Sequence, residues 1–178
     1  LEYQKGIDLI TMVTKGEFDI VLLPDADKEY GEDPQDCNKI KVSQDEMWLV
    51  VSSKAEVPQQ IRLRDITNYP VVLITGEYPG FEGTLSKMLK KEDQKLIPVF
   101  ESSNVGTLKR IIEAGLGWGF LPSHSIKKQV ETGRLRRVQV TDFDYKMDLC
   151  CYINKTRSTL RSTEVFLKAL EQLSQNNQ

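Results

Sequence analysis

Two short polar segments have the composition of a binding site for a small anion. Residues 75–76, Thr-Gly, follow an apolar run and offer a hydroxyl beside a backbone that a ligand can approach closely. Residues 102–104, Ser-Ser-Asn, open a predicted helix, where unpaired N–H groups and the helix dipole favour a carboxylate or another anion. We predict that a small anionic or carboxylate metabolite binds here. The candidate contacts are Thr75, Gly76, Ser103 and Asn104, with Ser102 and Tyr78 as outer members.

Each of these residues also has a simpler structural explanation. Ser103 or Asn104 can cap the helix that follows, a role worth about 1 kcal/mol that requires no ligand. Thr75 can finish a turn at the end of its strand. A cap and an anion site can also coexist, so the sequence leaves both interpretations open.

The single histidine and the three cysteines do not form a catalytic or metal-binding set. His124 follows Pro122 and Ser123 at a predicted helix start, without a nucleophile motif nearby, so a surface or capping role is predicted. No CxxC or Cys/His spacing suggests zinc, and the thiols are predicted to be buried in a reducing compartment. The cysteines are Cys37, Cys150 and Cys151.

The acidic segment at residues 25–38 has part of the spacing of a calcium loop. Asp25, Asp27 and Glu29 are two residues apart, but Tyr30 stands where the EF-hand turn needs glycine. The segment is therefore predicted to be a solvated loop. Altogether the sequence predicts no catalytic residue, no metal and no cofactor.

Three glycines at positions 115, 117 and 119 resemble a nucleotide-binding loop only superficially. They follow a predicted helix and enter a strand, the reverse of the order in a dinucleotide-binding fingerprint. We predict that they serve a turn and close packing.

The elements that position these residues alternate between strands and helices, which predicts an α/β fold. Residues 1–24 read as strand, helix and strand, with the second strand apolar enough to be parallel and covered on both faces. The last helix has an apolar stripe predicted to face the core, formed by Val165, Phe166, Ala169, Leu170 and Leu173. Strands are predicted at 1–4, 18–23, 40–42, 47–52, 71–74, 97–100, 118–121, 135–140 and 148–153, and helices at about 7–14, 83–91, 101–114, 123–131 and 162–173.

Charge and hydropathy exclude two classes of function. The 178 residues carry 24 Lys plus Arg against 26 Asp plus Glu, a net charge of −2 that argues against general nucleic-acid binding. The basic residues Lys127, Lys128, Arg134, Arg136 and Arg137 are predicted to form a solvated face. No apolar run approaches the roughly 20 residues that cross a bilayer. The chain begins at Leu1, so we expect a fragment or a processed chain.

Four stretches together resemble the effector-binding domain of LysR-type transcriptional regulators. Residues 13–22 (VTKGEFDIVL) resemble the leucine-rich helix, turn and strand of that family, and residues 47–52 (MWLVVS) its crossover strand. Residues 114–122 (AGLGWGFLP) match the most specific signature, and residues 157–166 resemble the approach to the last helix. The resemblance covers essentially the whole chain in order.

The resemblance implies a periplasmic-binding-protein-like fold of two Rossmann-like lobes joined by two crossover strands. Lobe I would comprise residues 1–46 plus 152–178 and lobe II residues 47–151, with the effector in the interlobe cleft. The family also places effector contacts at the segments around Thr75 and Ser103. The first strand and helix of lobe I are expected to be missing here.

The family resemblance further implies partners and a location. We expect a cytoplasmic homodimer or tetramer, in which residues 1–15 of one subunit pack against residues 104–114 of another. DNA would be bound only through an absent N-terminal helix-turn-helix domain. Two alternatives stay open: a free-standing solute-binding protein of a transport system, and an enzyme, for which the sequence supplies no nucleophile–base pair, metal set or phosphate loop.

Overall fold

The computed structural model describes residues 6–156 and 161–175, which contain both helices and strands. The predicted α/β class is confirmed. The helices are α1 (Gly6–Thr14), α2 (Ala26–Tyr30), α3 (Pro79–Lys91), α4 (Val105–Glu113), α5 (Ser123–Glu131) and α6 (Arg161–Gln175), with a 3-10 helix at Leu63–Asn68. The strands are β1 (Ile20–Pro24), β2 (Cys37–Ser52), β3 (Gln60–Ile61), β4 (Val72–Ile74), β5 (Phe100–Ser102), β6 (Gly119–Pro122), β7 (Leu135–Arg137), β8 (Gln139–Val140) and β9 (Lys146–Asn154).

The chain forms two compact units. Unit 1 contains residues 1–44 and 147–178, and unit 2 contains residues 45–146. The long strands β2 and β9 each contain residues of both units. None of the helices that the structure describes is long and apolar enough to span a bilayer.

The core of unit 1 lies between α1 and an antiparallel strand pair. Ile10 and Val13 of α1 pack with apolar side chains of β1 and β9. The sequence predicted β1 as a parallel strand covered on both faces, and this prediction was wrong. β1 pairs antiparallel with β9, and Leu22 keeps 41% of its surface exposed. The apolar content of a strand indicates that it is buried, but it does not identify the strand that pairs with it. Here the neighbouring strand, β9, comes from a distant part of the chain. The predicted strand at residues 1–4 lies outside the described residues.

The acidic segment after β1 is not the solvated loop that the sequence predicted. Residues 26–30 form α2, and the side chains of Asp25 and Glu29 are buried. Burial is tolerated because the segment has charged and polar partners: Lys39 Nζ lies 2.7 Å from an Asp25 carboxylate oxygen. Burial lowers the pKa of the Lys39 ammonium, but hydrogen bonds to Asp25 and Asp33 outweigh this effect and raise it above its ordinary value.

The sheet of unit 2 places parallel strands side by side. β4 pairs in parallel with β5, and a parallel bridge joins Val71 to Trp118 immediately before β4 and β6. The second half of β2 is antiparallel to β6 and β7. A Cβ atom at Gly119 would lie 2.8 Å from the Ile112 side chain, so the close packing predicted for the glycines at 115–119 is confirmed. The predicted turn is confirmed by the positive φ of +79° at Gly115.

Several element boundaries differ from the prediction for identifiable reasons. The two strands predicted at 40–42 and 47–52 form one continuous strand, β2. Helix α3 begins at Pro79, four residues earlier than predicted, because proline suits the first turn of a helix, where its missing N–H costs nothing. Helix α4 begins only at Val105, after its cap.

The apolar stripe predicted for the last helix does not face the core along its described part. Val165 and Phe166 are 61% and 39% exposed, whereas Thr163 is buried. Periodicity identifies which residues share a helix face, but it does not determine which face packs against the rest of the domain. The side chain of Leu173 lies outside the described residues.

Candidate functional site

The predicted anion-binding segments lie at one edge of the unit 2 sheet. Because β4, β5 and β6 are parallel, their carboxyl ends meet at the same edge. Residues 75–76 directly follow β4, residues 103–104 follow β5, and α5 begins directly after β6. Open α/β sheets bind ligands outside this edge, and three chain segments follow the strand ends there.

The structure brings the two predicted segments together. The Thr75 backbone N–H donates a hydrogen bond of 3.1 Å to the Ser102 carbonyl, one step beyond the pairing of Ile74 with Ser102. The two hydroxyl-bearing segments are therefore adjacent, about 5 Å apart across the strands.

Asn104 has the capping role that the sequence left open. Its side-chain oxygen accepts a hydrogen bond of 2.9 Å from Thr107 N–H, in the first turn of α4. Ser102 Oγ in turn accepts a hydrogen bond of 3.0 Å from the Asn104 backbone N–H. Ser103 is exposed, and within the described residues its hydroxyl has no protein partner. The Ser103 hydroxyl is therefore the group at this edge that we expect to hydrogen-bond a ligand.

Gly76 occupies a backbone conformation that favours glycine. Its φ is +80°, and a Cβ atom at this position would meet no other atom within 4 Å. The backbone is thus open to close approach, as predicted. However, its N–H already donates a hydrogen bond of 2.7 Å to the Glu82 carboxylate.

The sequence did not predict Glu82 as part of this edge, because the predicted start of α3 lies four residues too late. With the helix starting at Pro79, Glu82 falls in the first turn, where an acidic side chain interacts favourably with the helix dipole. An earlier helix start, signalled by Pro79, would have identified it. Tyr78 precedes the helix as its N-cap residue, is half-buried, and accepts a hydrogen bond from Glu82 N–H through its carbonyl oxygen.

At the end of β6, a second polar cluster joins Asp45 to the start of α5. Asp45 accepts hydrogen bonds from the Ser123 hydroxyl and from the His124 backbone N–H, and its other oxygen lies 2.5 Å from His124 Nδ1. Burial raises the pKa of the Asp45 carboxyl, but the hydrogen bonds from His124 and Ser123 outweigh this effect and hold the pKa below its ordinary value. Asp45 thus takes the place of an N-cap for α5.

The geometry of this cluster differs from that of a catalytic triad. Ser123 bonds to the carboxylate of Asp45 and not to the imidazole of His124, so the serine–imidazole contact of a triad is not formed. The His124 side chain is 67% exposed. Both observations agree with the surface or capping role predicted for this histidine. In the described part of the chain, no group of three or more His, Cys, Asp or Glu side chains is arranged to hold a metal ion.

Two of the basic residues predicted to form a solvated face, Arg136 and Arg137, make contacts within the domain. Arg136 donates hydrogen bonds of 2.9 and 3.0 Å to the carbonyls of Ala55 and Val57, so it holds a loop in place. The Arg137 guanidinium lies 4.3 Å from the ring centre of Trp48. These two arginines are therefore structural, and they do not line up as a phosphate-binding track.

The chain resembles known proteins in both sequence and structure. The family model described as the LysR substrate binding domain matches residues 1–175. No curated protein matches the chain significantly in sequence. Among solved structures, the apo regulatory domain of HypT from Salmonella typhimurium superposes with a TM-score of 0.77 at 18% identity, covering 98% of this chain and 81% of that one.

Two further neighbours have been solved with a small molecule. The regulatory domain of CcmR from Synechocystis PCC6803, in complex with 2-PG, gives a TM-score of 0.77 at 13% identity over 97% of this chain and 81% of that one. The effector-binding domain of QuiR, in complex with shikimate, gives 0.74 at 10% identity over 97% and 79%. At these identities the likeness concerns the fold.

Proposed function

The chain belongs to the LysR substrate-binding domain family and senses an effector for a LysR-type transcriptional regulator; we propose that this effector is a small anionic or carboxylate metabolite. Thr75, Gly76, Ser103 and Asn104 would contact it, with Ser102 and Tyr78 at the margin. The supporting observation is the hydrogen bond of 3.1 Å from Thr75 N–H to the Ser102 carbonyl, which makes the two polar segments adjacent. The proposed role is binding without catalysis.

The helix start at α4 supplies the electrostatic part of this proposal. Asn104 caps the Thr107 N–H, and the first-turn dipole still favours an anion close to Ser103. A charge-assisted hydrogen bond contributes roughly 1.5–3 kcal/mol. Loss of one such bond should therefore weaken binding by about tenfold or more.

A thermal-shift screen of small anions tests the proposal. The panel contains shikimate and 2-PG, the molecules bound by two structural neighbours, together with sulfate and a set of aromatic and aliphatic carboxylates. The strongest hit is then titrated calorimetrically against Thr75→Ala and Ser103→Ala, each expected to bind about tenfold more weakly. Ser86→Ala, at an exposed position on α3, serves as the matched control. Unchanged affinity in both site variants would place the effector elsewhere.

The effector signal would act on DNA through a separate domain. We propose that a helix-turn-helix domain outside this sequence binds the DNA, that the regulator is cytoplasmic, and that it works as a homodimer or tetramer. The net charge of −2 and the structural roles of Arg136 and Arg137 support the view that this domain does not itself bind DNA. A mobility-shift assay with the isolated domain is expected to show no salt-dependent operator binding.

A further inference from the structure

Four aromatic rings of unit 2 form a continuous cluster. The ring centre of Phe81 lies 5.5 Å from that of Phe120 and 5.3 Å from that of Tyr145. The ring centre of Phe143 lies 5.6 Å from that of Phe120. All three contacts are edge-to-face, an arrangement that the charge distribution of aromatic rings favours. Phe81 and Phe120 therefore hold the rings of Phe143 and Tyr145 in defined orientations.

The two inner members of the cluster are buried and the two outer members are not. Phe81 and Phe120 are 0% and 3% exposed, so packing in the core accounts for them. Phe143 and Tyr145 are half-buried and lie between β8 and β9, with the exposed Asp144 between them. An oriented aromatic side chain that stays partly accessible can pack against an apolar ligand.

The partly accessible rings lie at the same edge of unit 2 as the candidate site. Met47 N–H donates a hydrogen bond of 2.9 Å to the Tyr145 carbonyl, and Met47 pairs with Pro122, the last residue of β6. Tyr145 therefore lies at the carboxyl end of β6. Phe81, its neighbour in the cluster, lies in the first turn of α3, shortly after Gly76 in the chain.

This edge thus combines hydroxyl groups with aromatic surface. Small-molecule sites are typically lined by apolar and aromatic side chains, with a few polar groups that fix the orientation of the ligand. The Ser103 hydroxyl and the start of α4 suit a carboxylate. Phe143 and Tyr145 suit a flat ring, because only an aromatic ligand can add a further stacked or edge-to-face contact.

We propose that the effector is an aromatic carboxylate, whose ring packs against Phe143 and Tyr145 while its carboxylate bonds at Ser103. This inference rests on the proposed function, because it names the chemical class of the ligand that occupies the same site. Phe81 and Phe120 act as positioning residues, since they orient the two outer rings from within the core.

Benzoate and cyclohexanecarboxylate form a matched pair of probes. Each carries one carboxylate on a ring of equal size, and both are ionised at neutral pH. In calorimetric titrations of the whole chain, benzoate is expected to bind about threefold to tenfold more tightly. Hydrophobic burial alone would favour the saturated acid, which has the larger apolar surface. A preference for benzoate therefore reports the contact between rings.

Substitutions in the two outer rings test where this preference arises. Phe143→Leu and Tyr145→Leu keep an apolar side chain without the ring, so each should reduce the preference to within about twofold. Tyr145→Phe retains the ring and should keep the preference. Tyr69→Leu is the matched control, because Tyr69 is also half-buried and stacks on Trp118 but precedes β4, at the opposite end of that strand. Circular dichroism checks that each variant is folded.

The possible outcomes separate this inference from the proposed function. Equal affinities of the wild type for the two acids would overturn the inference, as would a preference that survives both leucine substitutions. Binding of neither acid, with sulfate or another anion of the screen still bound, would exclude the aromatic class and leave the proposed anion site standing. Failure of every anion in the screen to bind would overturn both proposals.

Discussion

The Glu82 carboxylate accepts a hydrogen bond of 2.7 Å from the backbone N–H of Gly76, the donor proposed for an anionic effector. An effector carboxylate that approaches Gly76 therefore meets a negative charge that already occupies this donor. Binding there requires Glu82 to move or the effector to use Ser103 and the start of α4 instead. We therefore expect Glu82 to influence which anions the proposed site accepts.

Removing the negative charge of Glu82 should strengthen anion binding. Glu82→Gln retains an oxygen that can accept a hydrogen bond from Gly76 N–H, but it removes the repulsion between the Glu82 carboxylate and an anionic ligand. The strongest anion from the screen should therefore bind about threefold to tenfold more tightly. Isothermal titration at low and high salt measures the effect, which should shrink as salt rises. Glu131→Gln, an exposed change on α5, is the control. An equal affinity for wild type and Glu82→Gln would show that the anion does not approach Gly76.

Two substitutions at Asn104 separate its capping role from ligand binding. Asn104→Ala removes the acceptor for Thr107 N–H and should lower the free energy of unfolding by about 1 kcal/mol. Asn104→Asp preserves the cap and the stability but adds a negative charge, so it should weaken anion binding by about tenfold. Urea denaturation gives the stabilities and calorimetry the affinities. If Asn104→Asp binds the anion as well as wild type, Asn104 is a cap without a role in the site.

The buried Tyr152 hydroxyl should contribute measurably to the stability of unit 1. It accepts a hydrogen bond of 2.8 Å from the buried Ala26 N–H and donates one of 2.9 Å to Asp33. Tyr152→Phe leaves that N–H without a partner and should lower the free energy of unfolding by about 1–3 kcal/mol. Tyr69→Phe serves as control, because Tyr69 is only half-buried and stacks its ring on Trp118. Equal chemical denaturation midpoints for the two variants would contradict this assignment.

Asp148 should make unit 1 sensitive to strong acid. Hydrogen bonds from Lys41, Gln44 and Lys28 lower the pKa of its carboxyl to about 2, from an ordinary value of 3.8. The pKa of Asp148 is lower in the folded state than in the unfolded chain, so the ionised carboxylate stabilises the folded state. This stabilisation is fully present above about pH 4 and is lost as the pH falls towards 2.

The matching variant is Asp148→Asn. After allowance for solvent screening of the lysines, it should reduce the free energy of unfolding by about 1 kcal/mol at pH 7. The deficit relative to wild type should disappear near pH 2, as measured by urea denaturation across this pH range. The exposed Asp144→Asn is the control. A deficit that stays constant from pH 7 to pH 2 would exclude the ionised carboxylate as its source.

The fold class and the family can be predicted from the amino-acid sequence, and the sequence also suggests the segments proposed as the site. Alternation of apolar strands with amphipathic helices is a local pattern, and so is the glycine series at 115–119, whose turn and close packing the structure confirms. The sequence offers Ser103 and Asn104 as cap candidates, because a capping side chain bonds to an N–H only a few positions later, and the structure assigns this role to Asn104. Such features are visible in sequence because the interacting groups are close together along the chain.

Contacts between residues that are distant along the chain could not be predicted from local sequence patterns. The pairing of β1 with β9, the burial of Asp25 beside Lys39, and the exposure of Val165 all depend on long-range packing, which local periodicity does not encode. The contact of Glu82 with Gly76 spans only six residues, yet it depends on the helix starting at Pro79. A charged side chain is buried or exposed according to its partners, and the fold alone supplies those partners.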